Sequence, residues 1–389
     1  MNRVAVLLFC LILCVSEPVF AGENKAGKNK TEENTVLEEL LRQIDFDEVD
    51  TYLKQENVLP IEEQSFSDLV VTLIQRDGIV FHPELVLQGG KDMLCQEIEA
   101  NKKILLEVVL LALVFSVLKN FAGAFGSSYV SELCFILVYC VLAILLTQSF
   151  LTCSEIVSQT LKQSISFMKV MIPTYCIAMV FAVGSSSSIG FYQIAFLVIY
   201  LVQWLFLYLF IPMIHLYILV TLFHHFFEEE KFANLTELLK GIILWGLKLS
   251  GMVVLGLNIV QGFLNPVKDR LLNGTVEKAA SMIPCIGNVA DGVTELLLGS
   301  GILIKNGVGV AALLILVLLC AVPMGKIACI TLFYKIAAAV TEPVADKRIA
   351  GCLKGMAEGG VLYVKLMGYC VVLFFLTIAL TTMLTGTTI

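Results

Sequence analysis

The sequence predicts an all-α polytopic membrane protein. It has about seven to eight transmembrane helices with broken or re-entrant segments, and a small helical N-terminal region outside the cytoplasm. Three observations carry this. Of the 389 residues, 58% are apolar and only 15% are charged, where soluble domains carry about 25% charged residues. The apolar residues gather in runs of helical length. Charge is segregated: residues 22–103 hold 18 acidic and 9 basic side chains, and residues 104–389 hold 14 and 16. That much apolar surface excludes a soluble enzyme with one core. The net charge of −7 argues against nucleic acid as a partner, since phosphate binding needs clustered Lys and Arg.

Residues 1–21 read as a signal peptide. Asn2-Arg3 is a short positive start, Val4–Val15 is apolar but too short to span, and Val19-Phe20-Ala21 offers small residues for cleavage. Leu13 is too bulky to make Cys14 a good lipidation site. Ten cysteines follow the leader, with no C-x-x-C or zinc spacing, and nine of them lie in or beside apolar runs. Residues 22–103 form the acidic region outside the cytoplasm. Val36, Leu37, Leu40, Leu41 and Ile44 recur at helical spacing, a second amphipathic stretch covers Phe66–Ile74, and His82-Pro83 precedes a third helix entering the membrane.

Residues 104–389 form the membrane domain. Its apolar runs are Ile104–Leu118, Val130–Leu151, Val170–Val183, Ile189–Phe223, Gly241–Phe263, Val308–Val322, Ile327–Val340 and Tyr363–Leu384. Several approach the ~20 residues that cross ~30 Å of hydrocarbon. Counting eight crossings from an external N-terminus places eight Lys/Arg in inner loops and five in outer ones, a positive-inside bias.

An internal echo marks 167–223 and 278–334. Met171-Ile172-Pro173 recurs as Met282-Ile283-Pro284, and Ile211-Pro212-Met213 as Val322-Pro323-Met324, both at an offset of 111. Gly190 falls on Gly301 at the same offset. The first copy has a hinge from Gly184 and Ser185 to Gly190, and the second at Gly299-Ser300-Gly301. Backbone groups freed by such breaks survive in a bilayer only when buried in protein or lining a wet cavity. Paired interruptions of this kind point to a transport pathway. The candidate pathway and hinge residues are therefore Pro173, Gly184, Ser185, Gly190, Pro212, Lys248, Pro284, Gly287, Asp291, Gly299, Gly301 and Pro323. Lys248 sits deepest among the charges within apolar runs, and Asp291 shares a helix face with Glu295. Glu107 and Lys335 are read as snorkelling to an interface. His224-His225 before Glu228-Glu229-Glu230 has no metalloprotease spacing and reads as a helix leaving the bilayer. No nucleophile elbow or phosphate-binding glycine loop is present, so no catalytic residue, cofactor or metal site is assigned and an enzyme is not expected.

Several stretches carry a family likeness. They are Met171-Ile172-Pro173 with its small-residue hinge, Met282-Ile283-Pro284-Cys285-Ile286-Gly287-Asn288-Val289-Ala290-Asp291, and the run from Gly299 to Gly309. Tyr334-Lys335-Ile336-Ala337 through Pro343 and Asp346-Lys347-Arg348-Ile349 complete them. In these the chain resembles the stage III sporulation protein AE family of endospore-forming bacteria. The resemblance implies a multi-pass protein of the mother-cell membrane around the forespore. It would be part of a feeding-tube-like channel that supports late forespore gene expression. Its partners would be other stage III sporulation membrane proteins, including a partner ATPase, and the lipid bilayer. A permease-like secondary transporter with inverted repeats is the alternative.

Overall fold

The structure is a computed structural model. It describes residues 37, 39–56, 65–75, 128–183, 186–227, 232–280, 287–343 and 346–386, with isolated positions at 106, 107, 110, 114 and 117. Side chains at 75, 128, 130–131, 181–193, 195, 258, 261–298 and 380–386 lie outside the described set. The leader, the third N-terminal helix and most of the run Ile104–Leu118 also fall outside it. The helices are α1 (Asp47–Gln55), α2 (Phe66–Gln75), α3 (Ser128–Val183), α4 (Ser186–Leu205), α5 (Ile211–Phe226), α6 (Ala233–Ala280), α7 (Gly287–Thr341) and α8 (Lys347–Gly386). A π-turn, Phe206–Phe210, joins α4 to α5.

The apolar runs condense onto fewer helices than the sequence suggests. Val130–Leu151 and Val170–Val183 both lie on α3, which continues for 56 residues. The reason is local. From Ser128 to Ile172 there is neither Gly nor Pro, so the polar stretch between the runs contains no helix breaker. Val308–Val322 and Ile327–Val340 likewise share α7, with Pro323 inside the helix. Among the described residues five helical segments are long and apolar enough to cross a membrane: Glu132–Val180, Phe196–Phe226, Ala233–Leu257, Gly299–Thr341 and Lys347–Ala379.

These five alternate in direction. At one end the Tyr139 hydroxyl donates to the Leu222 carbonyl at 2.6 Å, and Arg348 pairs with Glu132 at 3.2 Å. Near the middle Ser154 meets His215 at 2.5 Å, and Phe150 stacks on Tyr363 at 5.1 Å. Further along, Tyr175 packs edge-on against Phe196 at 5.5 Å, with Ala312 and Phe374 beside them. So α3, α6 and α8 run one way, and α4–α5 and α7 run back. In α8, 61% of the most apolar stretch is buried and in α7 56%, against 28% in α6, so α7 and α8 form the centre. Exposed Leu137, Leu197, Leu216, Trp245 and Met252 give the outer helices an apolar belt, as lipid contact demands. Thr160, Ser164, Thr221, Thr331 and Thr377 each return their hydroxyl to the carbonyl four residues earlier, which satisfies it within the helix.

The acidic head packs on this bundle. The Asp50 carboxylate on α1 accepts from the Phe66 amide and the Ser65 hydroxyl, both at 2.6 Å, and the Asp68 carboxylate accepts from the Ser65 amide at 3.3 Å. One carboxylate thus caps the neighbouring helix, which has its own Ser-x-x-Asp box. Tyr52 donates to the Gln163 carbonyl at 2.8 Å, and Gln163 donates to Glu56 at 2.6 Å. Burial, reinforced by the Glu56 carboxylate, pushes the Tyr52 hydroxyl well above its ordinary range, so it stays a donor. Helix α2 lies on α7, where Ile74 Cγ1 would sit 2.7 Å from a Cβ at Gly307. Leu37, Leu40, Leu41, Val49, Phe66 and Val70 join the same apolar cluster as the long helices. The described part of the head therefore shares the bundle's core.

Candidate functional site at the centre of the bundle

Two features stand out: a tight seam inside the bundle and a charged cluster on its flank. The seam is built by α8. Gly351, Gly355 and Gly359 recur every fourth residue and so share one helix face. A Cβ at these positions would collide with His225, Thr221 and Ile218 of α5 respectively. Gly360, pointing the other way, abuts Thr331 of α7. Small residues let membrane helices approach closely where packing must replace the hydrophobic effect. The seam escaped the sequence reading, although the Gly-x-x-x-Gly-x-x-x-Gly-Gly spacing from Gly351 to Gly360 announces it. His225 belongs to this seam, with its Nδ1 2.9 Å from the Thr221 carbonyl. Glu228, Glu229 and Glu230 are outside the described residues, and no group of metal-ligating side chains occurs among those described.

The charged cluster lies on α6, α7 and α8. Glu358 accepts from Lys240 at 2.9 Å and from the Tyr217 hydroxyl at 3.0 Å through the same oxygen. Lys354 acts on Glu358, and Lys365 lies within electrostatic reach of Lys240, Lys248, Lys335 and Glu358. Lys248 is exposed on α6. Buried Ser149, Ser154, Tyr334 and Tyr363 form a polar layer inside the bundle at the level of His215. At the end of the bundle Arg348 makes two contacts to Glu132, at 3.2 and 3.4 Å, over the face of Phe135 at 3.3 Å. This clamp fixes the start of α8 to the start of α3.

The other sequence candidates are scattered. Pro173 and Pro323 sit inside continuous helices. Pro212 begins α5, directly after the π-turn, in which the Ile211 amide bonds to the Phe206 carbonyl. That wider turn relieves the clash a proline ring makes with the carbonyl four residues back. Gly299 and Gly301 lie within the uninterrupted helix α7, and Gly190 lies within α4. The expected break at Gly299-Ser300-Gly301 is thus absent. Helix α7 runs on through both glycines, and nothing lies within 4 Å of a Cβ at Gly299. Gly184, Ser185 and Pro284 are outside the described residues. Gly287 and Asp291 open α7, but their side chains lie outside the described set. The described halves of the echo, α4–α5 and α7, run in the same direction, so they do not stand in the inverted relation that the transporter reading requires.

The sequence profile of the stage III sporulation protein AE family matches residues 64–385. The chain belongs to the stage III sporulation protein AE family. Stage III sporulation protein AE of Bacillus subtilis (strain 168) is 26% identical over 299 residues, which cover 77% of this chain and 75% of that protein. No solved structure matches the chain. The match takes in α2 and every long helix, and α1 precedes it. Family and fold agree on a multi-pass sporulation membrane protein.

Proposed function

We propose that the protein is a non-catalytic membrane subunit of a channel-like apparatus joining mother cell and forespore. It would lie in the outer forespore membrane and work beside other stage III membrane proteins and a partner ATPase, so that late forespore gene expression can proceed. The observation that carries this reading is the family match over the whole helical bundle. The architecture fits a platform. A glycine seam locks central helix α8 against α5, and exposed apolar side chains form a belt around the bundle. In this reading the leader is removed and the acidic head faces away from the cytoplasm. Seven or eight crossings would need spans beyond the five described segments.

Co-purification of the full-length protein from membranes of sporulating cells tests the assembly. Recovery of stage III membrane proteins and an ATPase with it is the expected result. Recovery of the protein alone, with normal late forespore gene expression in cells that lack it, would overturn the reading. The permease alternative draws on Lys248 and the paired small-residue segments. Cysteines placed at Ser185 and Ser300 test it, because thiols closed to aqueous reagents from both sides would exclude a pathway there.

A further inference from the structure

Five lysines converge on one side of the bundle centre. Lys240 and Lys248 lie eight residues apart on α6, and Lys354 and Lys365 flank Glu358 on α8. Lys335 joins them from α7, and α8 packs against both neighbouring helices. Residues 354, 358 and 365 share a helical face, as do 240 and 248. The track from Lys354 to Lys365 covers about 16 Å along the axis. All six charged residues lie within segments apolar enough to cross a membrane.

This arrangement is costly for a bare protein. A charge at membrane depth needs a partner or water, and like charges raise each other's energy. Snorkelling carries a single lysine to the nearest interface, but it does not explain why three helices bring their lysines together. Glu358 is the carboxylate that Lys240, Lys354 and Lys365 meet among the described residues. Lys248, Lys354 and Lys365 make no ion pair among the described residues. Glu358 is held by both Lys240 and Tyr217, so it serves to fix the cluster's geometry. Lys248, Lys354 and Lys365 thus leave positive charge with no ion-pair partner among the described residues. Ammonium groups spread along a track suit phosphate, which lysine binds as a point charge without a fixed fork.

We propose that this lysine track on α6, α7 and α8 is a binding site for a phosphate-bearing ligand, either a soluble anion or the headgroup of an anionic phospholipid. The site stands apart from the assembly reading above, because it can bind whether or not the protein joins a channel.

The test uses the full chain in phosphatidylcholine nanodiscs with inorganic phosphate as probe, read by calorimetric titration and thermal unfolding. Saturable binding with a rise in unfolding temperature is expected. Including phosphatidylglycerol then separates the two sources. Loss of phosphate binding identifies the lipid headgroup as occupant, and unchanged binding identifies a soluble anion. The double variant Lys248→Gln/Lys365→Gln should weaken phosphate binding about tenfold or more, since charge-assisted contacts are lost. Lys162→Gln, on an exposed face of α3, should leave it unchanged. If the glutamine pair unfolds, Lys248→Arg/Lys365→Arg keeps the charge and should retain binding. Undiminished binding in the glutamine variant would overturn the proposal. So would the absence of saturable phosphate binding combined with no preference for phosphatidylglycerol.

Discussion

Glu358 shows how one side chain can matter more than its partner. It is the one carboxylate described among five lysines, and it also receives the Tyr217 hydroxyl. Glu358→Gln removes the opposing charge and leaves the ammonium groups repelling one another. Lys240→Met removes an ion pair but also relieves that repulsion. Both side chains are about two-fifths exposed, at 38% and 43%, so the loss of Lys240 should cost at most ~1 kcal/mol. The loss of Glu358 should cost more, because it also leaves the Tyr217 hydroxyl without its carboxylate acceptor. Thermal unfolding of the two purified variants checks the order. An equal or reversed order would show that the lysines do not act as a group.

At the scale of elements, the seam on α8 sets how closely α5 approaches it. Thr221 cannot yield easily to a Cβ at Gly355. It is β-branched, 2% exposed, and its hydroxyl is bonded to the Tyr217 carbonyl at 2.7 Å. Gly355→Ala should therefore destabilise the bundle by about 1–3 kcal/mol, measured as a lowered unfolding temperature. Gly241→Ala serves as control, since nothing lies within 4 Å of a Cβ there. Prolines work in the opposite sense. Pro323 lies inside α7 without an amide hydrogen to donate, so Pro323→Ala adds a backbone bond and should raise stability, by up to ~3 kcal/mol on helix propensity alone. If spore formation falls while stability rises, the proline is kept for function. If both rise together, it has no such role.

At the scale of the whole molecule, the head is tied to the bundle by a few directional bonds. Tyr52→Phe removes the donor to the Gln163 carbonyl at a cost of about 1 kcal/mol. Limited proteolysis should then cut residues 37–75 faster while the long helices stay intact. No change in the cleavage rate would mean that apolar packing alone holds the head. The lysine track makes a second prediction at this scale. Lys248→Cys should react with a membrane-impermeant thiol reagent if the track is wet, and stay unreactive if lipid or a partner seals it.

Much of this was legible in the sequence because hydropathy and charge act locally. The all-helical class, the apolar body and the helix at Phe66–Gln75 follow from spacing alone. The sequence also marked Lys248 as unusual, since a charge inside an apolar run stands out without any structure. Other features depend on which helix faces which. The Gly351–Gly359 seam has meaning only because Thr221 and His225 lie opposite it. The lysines matter as a group only because α6, α7 and α8 bring together residues more than a hundred positions apart. The merging of paired runs into α3 follows from the lack of Gly and Pro between them, whereas in α7 packing along the bundle outweighs the helix-weakening effect of Pro323 and the glycines. The sequence alone determined that this chain enters a membrane as helices, because burial of apolar surface is additive along the chain. Only the tertiary structure decided where the charges meet, because electrostatic and steric contacts depend on distance in space.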